Sequence, residues 1–305
     1  MTGPPLLIVL PGAEHLAEAF AAAGFERAET VFRKFPDGES YVRIINETAG
    51  RDVVLLCHLH DPDPQLMPVL LAAGAAREGG AASVGLVIPY LPYMRQDIAF
   101  HPGEAVSSVH FARILSTFAD WLVTLDPHLH RWHSLDQLYT SLPARTVTAA
   151  PAIAGWVSRN VTKPLIIGPD SESEPWVTDV ARLAGAEAIV VEKVRHGDRS
   201  VTMTLPDLSR WHGYQPVIVD DIISTGGTMA KLVESLVSAG LAAPVCCAIH
   251  ALFSDGAEDL LKSAGAARIV SCDTVPHATN SIPIGALLVT AASDMIHAQR
   301  HLPRN

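Results

Sequence analysis

Two adjacent carboxylates, Asp220 and Asp221, stand just ahead of the run Ser224-Thr225-Gly226-Gly227-Thr228. The acids close an apolar stretch, Val217-Ile218-Val219, and an amphipathic stretch begins at Thr228. Two glycines permit a tight turn that aims successive N–H groups at one anion. A helix start adds partial positive charge, and the hydroxyls add donors. The pattern suits a monophosphate. It lacks the lysine of a nucleotide P-loop, so a Walker A motif does not fit. The paired acids suit vicinal hydroxyls of a sugar, or a magnesium ion. A plain turn capped by Thr228 would need neither two acids nor five small polar residues.

Other segments carry chemistry of the same kind. Phe35-Pro36-Asp37-Gly38-Glu39 offers an aromatic ring that can stack on adenine, beside acids on a glycine turn, although an ordinary turn reads the same way. Arg95, Gln96 and Asp97 follow an apolar run, and an arginine and a glutamine there can clamp triphosphate oxygens and a base. Asp126-Pro127-His128-Leu129-His130 follows another such run. His128, His130 and His133 could instead form a zinc cluster, but no ligating cysteine or remote partner is evident. Lys193 and Arg195, in Glu192-Lys193-Val194-Arg195, could neutralise phosphoryl oxygens in a transition state, or be a surface ion pair.

These residues fall where alternating elements would place them. Short apolar runs (6–10, 41–45, 53–56, 84–89, 122–125) read as strands and alternate with amphipathic helices at 15–23, 65–77 and 108–118. The second half repeats the style, with strands at 164–167, 189–192, 200–205, 217–219, 245–252 and 268–272. Its helices fall at 152–160, 176–184, 228–239 and 257–264. Runs buried on both faces and separated by helices indicate parallel sheets, doubly wound, one in each half. The expected domains are 1–145 and 146–305. Ligands then belong beyond the carboxyl ends of the strands, where the motifs lie.

Bulk properties narrow the function classes. Of 305 residues, 49% are hydrophobic and 18% charged, enough for two cores and too apolar for disorder. A formal charge of −10 argues against a nucleic-acid partner. Phosphate binding then requires local devices, such as amide nests, magnesium and a few placed cations. Four cysteines (57, 246, 247, 272) lie in apolar stretches without metal or redox spacing, which suits free buried thiols in a reducing cytoplasm. The N-terminus does not resemble a signal peptide. Residues 235–254 carry no charged side chain but divide into a helix end and a strand, so no membrane span is expected.

The string VDDIISTGGT resembles the ribose 5-phosphate loop of phosphoribosyl-pyrophosphate synthetases, whose domains are of the type I phosphoribosyltransferase kind. PYLPYMRQD at 89–97, DPH at 126–128 and EKVR at 192–195 are similar to that family's ATP segment, histidine motif and catalytic loop. Residues 35–39 resemble its ATP loop, and the likeness is nearest to the shorter, archaeal-like branch. It runs from about Leu6 to Ile284.

The resemblance implies a magnesium-dependent transfer of the terminal pyrophosphate of ATP to ribose 5-phosphate. Phe35, Asp37, Glu39, Arg95, Gln96, Asp97 and His128 would bind ATP. Asp220, Asp221 and Ser224, Thr225, Gly226, Gly227 and Thr228 would bind the sugar phosphate. Lys193 and Arg195 would be catalytic, and His128 and Asp170 would hold the metal. The ATP loop would reach a neighbouring subunit, making the protein a homodimer or larger. Many members carry two glycines after the aspartate that matches Asp170, where this chain has Glu172 and Ser173. A diphosphotransferase on another sugar phosphate, a phosphoribosyltransferase and a non-catalytic regulatory paralogue stay as alternatives.

Overall fold

The computed structural model describes residues 3–196 and 200–301. The chain folds as two compact units, Met1–Val147 with Gly285–Asn305, and Thr148–Ile284. In the first, β1 (Leu6–Val9), α1 (Glu14–Ala22), β2 (Glu26–Arg27), β3 (Thr30–Lys34), β4 (Ser40–Ile44) and β5 (Asp52–Leu56) come in turn. They are followed by α2 (Asp63–Glu78), β6 (Ser83–Ile88), α3 (Ser107–Ser116), β7 (Trp121–Leu125) and β8 (Ala144–Val147). The sheet order is β2-β1-β5-β6-β7-β8, with every pairing parallel.

The central strands are buried along their whole length because both faces are covered. Each of Val53, Val54, Leu55 and Leu56 is fully buried, contributing about 1.5–3 kcal/mol. Gly85 lies against the indole of Trp121, where a Cβ would overlap the ring.

The second unit contains α4 (Ala150–Asn160), β9 (Pro164–Gly168), α5 (Glu174–Ala184), β10 (Glu187–Val190), β11 (Glu192–His196) and β12 (Ser200–Thr204). Then come β13 (Gln215–Ile223), α6 (Gly227–Ser238), β14 (Val245–Ala251), α7 (Ala257–Ser263), β15 (Arg268–Cys272) and β16 (Asn280–Ile282). Its sheet, β10-β9-β13-β14-β15-β16, is parallel too. Residues 235–254 do divide into the end of α6 and β14, and no helix among the described residues is long and apolar enough to cross a membrane. All four cysteines are free and buried, and burial pushes the Cys246 and Cys247 thiols up to about 12.

Three features depart from the sequence reading. The strand expected at 41–45 is not part of the parallel sheet. As β4 it pairs antiparallel with β3, with Lys34 opposite Ser40. The segment carrying Lys193 and Arg195 is a strand of a second hairpin, in which Lys193 is registered against Met203 and Arg195 against Val201. Finally, α8 (Gly285–Arg300), expected within the second domain, belongs to the first unit and packs on α1, β6, β7 and β8. Arg300 fixes its end: Nε and Nη2 donate to Asp52 Oδ2 at 2.8 and 2.7 Å, while Ser83 Oγ donates to Asp52 Oδ1 at 2.6 Å. Covering that sheet is a tertiary event that leaves no local mark in the sequence.

Candidate functional site

In the second unit, β13 delivers Asp220 and Asp221 to the carboxyl edge of the sheet, and α6 starts a short turn later. Successive strand positions alternate between faces, and Asp221 is the more buried of the two acids. Gly226 is the N-cap of α6 with φ 72°, a left-handed value that favours glycine. A Cβ there would lie 3.4 Å from the carbonyl oxygen of Ala257, so the turn is packed closely from behind. No side chain caps the helix. The first-turn amides, which have no intrahelical acceptor, are therefore suited to an anion. Ser254 donates from its backbone N–H and its hydroxyl to Ser224 O at 3.2 and 3.4 Å, which fixes the start of the loop. Thr225 and Thr228 are exposed, and Ser224 and Gly227 half-buried.

Asp170 follows β9 and caps a short turn at Ser171–Ser173. Its Oδ1 accepts from Glu172 N at 3.1 Å and Ser173 N at 3.3 Å. Ser173 is fully buried, and its hydroxyl donates back to Asp170 O. Gly168 cannot carry a side chain here, because a Cβ would overlap the Ser173 hydroxyl. The departure at Glu172-Ser173 thus has a structural account for Ser173, which closes the turn, and leaves Glu172 exposed. The side chains of Lys193 and Arg195 lie outside the described residues.

In the first unit, residues 35–39 form the tip of the β3–β4 hairpin. Phe35 N donates to Glu39 O at 2.8 Å, Gly38 N to Phe35 O at 2.9 Å, and Glu39 N to Asp37 Oδ1 at 3.4 Å. The Arg33 guanidinium lies 4.5 Å from the Phe35 ring centre and 4.1 Å from that of Tyr41. That cation–π pair is worth about 0.5–1 kcal/mol on a surface and orients Phe35, which is 40% exposed. The inner face of the hairpin, Phe32, Val42 and Ile44, packs on the core.

The neighbouring strands β6 and β7 supply the other loops. Arg95 is exposed and Gln96 half-buried, with Gln96 Nε2 at 3.4 Å from Glu104 Oε2. Glu104 also accepts from the Phe100 and His101 amides and pairs with the His101 ring at 2.8 Å. The His101 ring first, then the amides, hold its carboxyl below the usual range. After β7, Leu129, Trp132 and Leu135 turn into the core. His128 is half-buried, with His130 and Arg131 exposed beyond it, and the His128 and His130 rings stack at 6.2 Å. Asp97 is buried between the loops. Among the described residues no group of three or more His, Cys, Asp or Glu could hold a metal ion, so His128, His130 and His133 do not assemble a zinc site. Arg33, Glu104 and Arg131 were missed in the sequence. None of the three stands in a motif that the sequence marks out.

Two parallel-sheet α/β units, each with its loops beyond the carboxyl edge of the strands, define the type I phosphoribosyltransferase fold, used twice. Residues 6–118 match the N-terminal domain of ribose phosphate pyrophosphokinase, and residues 140–286 match the phosphoribosyl transferase domain. The ribose-phosphate pyrophosphokinase of Methanopyrus kandleri is 33% identical over 264 residues, 86% of this chain and 89% of its own length. That of Sulfolobus acidocaldarius is 33% identical over 82% of this chain and 86% of its own. The crystal structure of phosphoribosylpyrophosphate synthetase from Mycobacterium smegmatis superposes with a TM-score of 0.81 at 25% identity, covering 96% of this chain and 99% of that one. The chain belongs to the ribose-phosphate pyrophosphokinase family and is an enzyme of the transferase class.

Proposed function

We propose that this enzyme transfers the β,γ-pyrophosphoryl group of ATP to the 1-hydroxyl of ribose 5-phosphate, giving 5-phosphoribosyl 1-pyrophosphate and AMP. One observation carries the reading: an uncapped helix start with a left-handed Gly226 stands directly beyond Asp220 and Asp221. The loop 224–228 takes the 5-phosphate on its amides and hydroxyls, and the two acids take the ribose hydroxyls. Arg95 and Gln96 bind the nucleotide with His128, while Phe35 stacks on adenine with Asp37 and Glu39 beside it. The anomeric hydroxyl attacks the β-phosphorus in line and AMP leaves. Lys193 and Arg195 neutralise the charge that develops on the transferred group. No covalent intermediate on the protein is needed, so positioning carries much of the rate.

The donor set fits magnesium. That ion is bound through one or two protein groups plus phosphate oxygens and waters rather than by an all-protein cage. Asp170 and His128 would hold it, and it would supply neutralisation of phosphate charge. The hairpin serves the site of a neighbouring subunit, so the protein is at least a homodimer. Exposure of Val31, Phe35 and Ile45 on and beside that hairpin supports this. The enzyme would work in the cytoplasm on small-molecule substrates, its charge of −10 disfavouring nucleic acid.

Mass spectrometry of products from magnesium, ATP and a panel of pentose and tetrose phosphates tests the function. AMP with diphosphorylated ribose 5-phosphate is the expected result. ADP with a sugar bisphosphate, preference for another sugar, or an intact nucleotide would each overturn it. Consumption of the pyrophosphorylated sugar with a free base would indicate a phosphoribosyltransferase instead.

A further inference from the structure

Asp97 stands just after Arg95 and Gln96, yet its side chain is only 3% exposed. Its Oδ1 lies 3.4 Å from Arg131 Nε, and its Oδ2 lies 3.6 Å from His130 Nδ1. Oδ2 has no hydrogen-bond partner. A buried carboxylate is costly unless paired, and this unit also shows what a tight structural pair looks like. Arg300 reaches Asp52 with two nitrogens at 2.8 and 2.7 Å. The Asp97 contacts are longer and are shared between two side chains, with Arg131 Nε the nearest guanidinium nitrogen. A guanidinium carries five N–H donors in a fork, so with Nε toward Asp97 and the side chain 46% exposed, Arg131 has donors to offer another acceptor.

The backbone explains why this cation is placed there. Leu129, Trp132 and Leu135 anchor the loop after β7 in the core, leaving His128, His130 and Arg131 on its outer side. The strand β7 lies beside β6 in the sheet. Asp97, from the loop after β6, thus ties the segment holding Arg95 and Gln96 to the segment holding His128. In a protein of net charge −10, Arg131 against Asp97 and the exposed Arg95 two residues earlier bring two guanidinium groups to this edge of the sheet. Such an edge suits a polyphosphate.

We propose that Arg131 is a further phosphate-binding cation of the nucleotide site, and that Asp97 is the positioning residue that holds it rather than a direct nucleotide contact. The inference rests on the nucleotide lying over these loops, as in the proposed function. Removing Arg131 weakens ATP and leaves the sugar phosphate alone. Removing the charge of Asp97 acts through Arg131, so the two changes do not add.

Magnesium–ATP binding by calorimetry, without sugar, is the primary readout for wild type, Arg131→Ala, Arg131→Lys, Asp97→Asn and the double variant Asp97→Asn/Arg131→Ala. Steady-state KM for each substrate and thermal unfolding accompany it. The expected result is a loss of ATP affinity of about 10-fold or more in Arg131→Ala, partial recovery in Arg131→Lys, and a smaller loss in Asp97→Asn. The double variant is expected to be no weaker than Arg131→Ala. The sugar phosphate KM stays within about twofold. ATP affinity unchanged in Arg131→Ala would overturn the role of Arg131, and additive losses in the double variant would overturn that of Asp97. Wild type that binds ATP but makes no AMP would sink the proposed reaction while leaving this inference to stand or fall on binding. Wild type that binds no ATP would sink both.

Discussion

Replacing Gly226 by alanine strains the loop proposed to hold the sugar phosphate, at its left-handed residue. Gly226 has φ 72° and ψ −4°, and that region costs an L-residue about 1–2 kcal/mol. The new Cβ would lie 3.4 Å from the Ala257 carbonyl oxygen and 3.5 Å from Leu261 Cγ, close but not overlapping. The backbone strain therefore dominates, and the protein still folds. With a penalty of 1–2 kcal/mol, Tm should fall by roughly 3–8 °C. Relief of the strain turns the amides at the start of α6 away from the bound anion. A hydrogen bond to a charged group is worth about 1.5–3 kcal/mol, so losing one raises the KM for ribose 5-phosphate by about 10–100-fold. The KM for ATP should stay within about twofold, since the nucleotide loops belong to the other unit. Steady-state kinetics with AMP detection, each substrate varied in turn, and calorimetric unfolding measure both effects. A lowered Tm with an unchanged sugar phosphate KM would refute the placement of the phosphate at 224–228. Equal rises in both KM values would refute it as well.

Lys193→Ala should lower kcat by about 100-fold or more with little change in ATP affinity, and near-normal turnover would remove its assigned role. Arg300→Ala should cost about 2–3 kcal/mol in urea unfolding by leaving Asp52 buried without its cation, and a change below about 0.5 kcal/mol would show that the Arg300–Asp52 pair does not hold α8. His58 should make stability depend on pH. Burial first, then repulsion from His60 and His15, lowers its pKa from 6.5, with Glu14 opposing. The unfolded chain then binds the proton more readily, so stability is full above about pH 6.5 and is lost as pH falls through the folded value. The stability difference between wild type and His58→Gln should therefore vary between pH 7 and 5, and a constant difference would count against the effect.

Much of the framework was legible in the chain. Apolar runs such as Val53–Leu56 and Val245–Ala251 are long enough for strands and too short for spanning helices. The acids and small residues of 220–228 are local in sequence, so the cradle could be read as one string. Residues 35–39 read as a turn, but the partner strand Thr30–Lys34 carries no clear strand signal. Its alternating pattern is blurred because much of it stays exposed. The final helix has a helical spacing of Leu288, Ala291, Ala292 and Ile296, but nothing local says which sheet it covers.

By itself the sequence determined two parallel α/β sheets and the strand ends that bear chemistry, because period and composition are properties of neighbours along the chain. Tertiary structure alone decided that the last helix completes the first unit and that Asp97 is buried between His130 and Arg131. These are contacts between residues far apart in sequence. They depend on which surfaces must be covered once the sheets have formed, and the burial of a carboxylate is decided only by what packs around it.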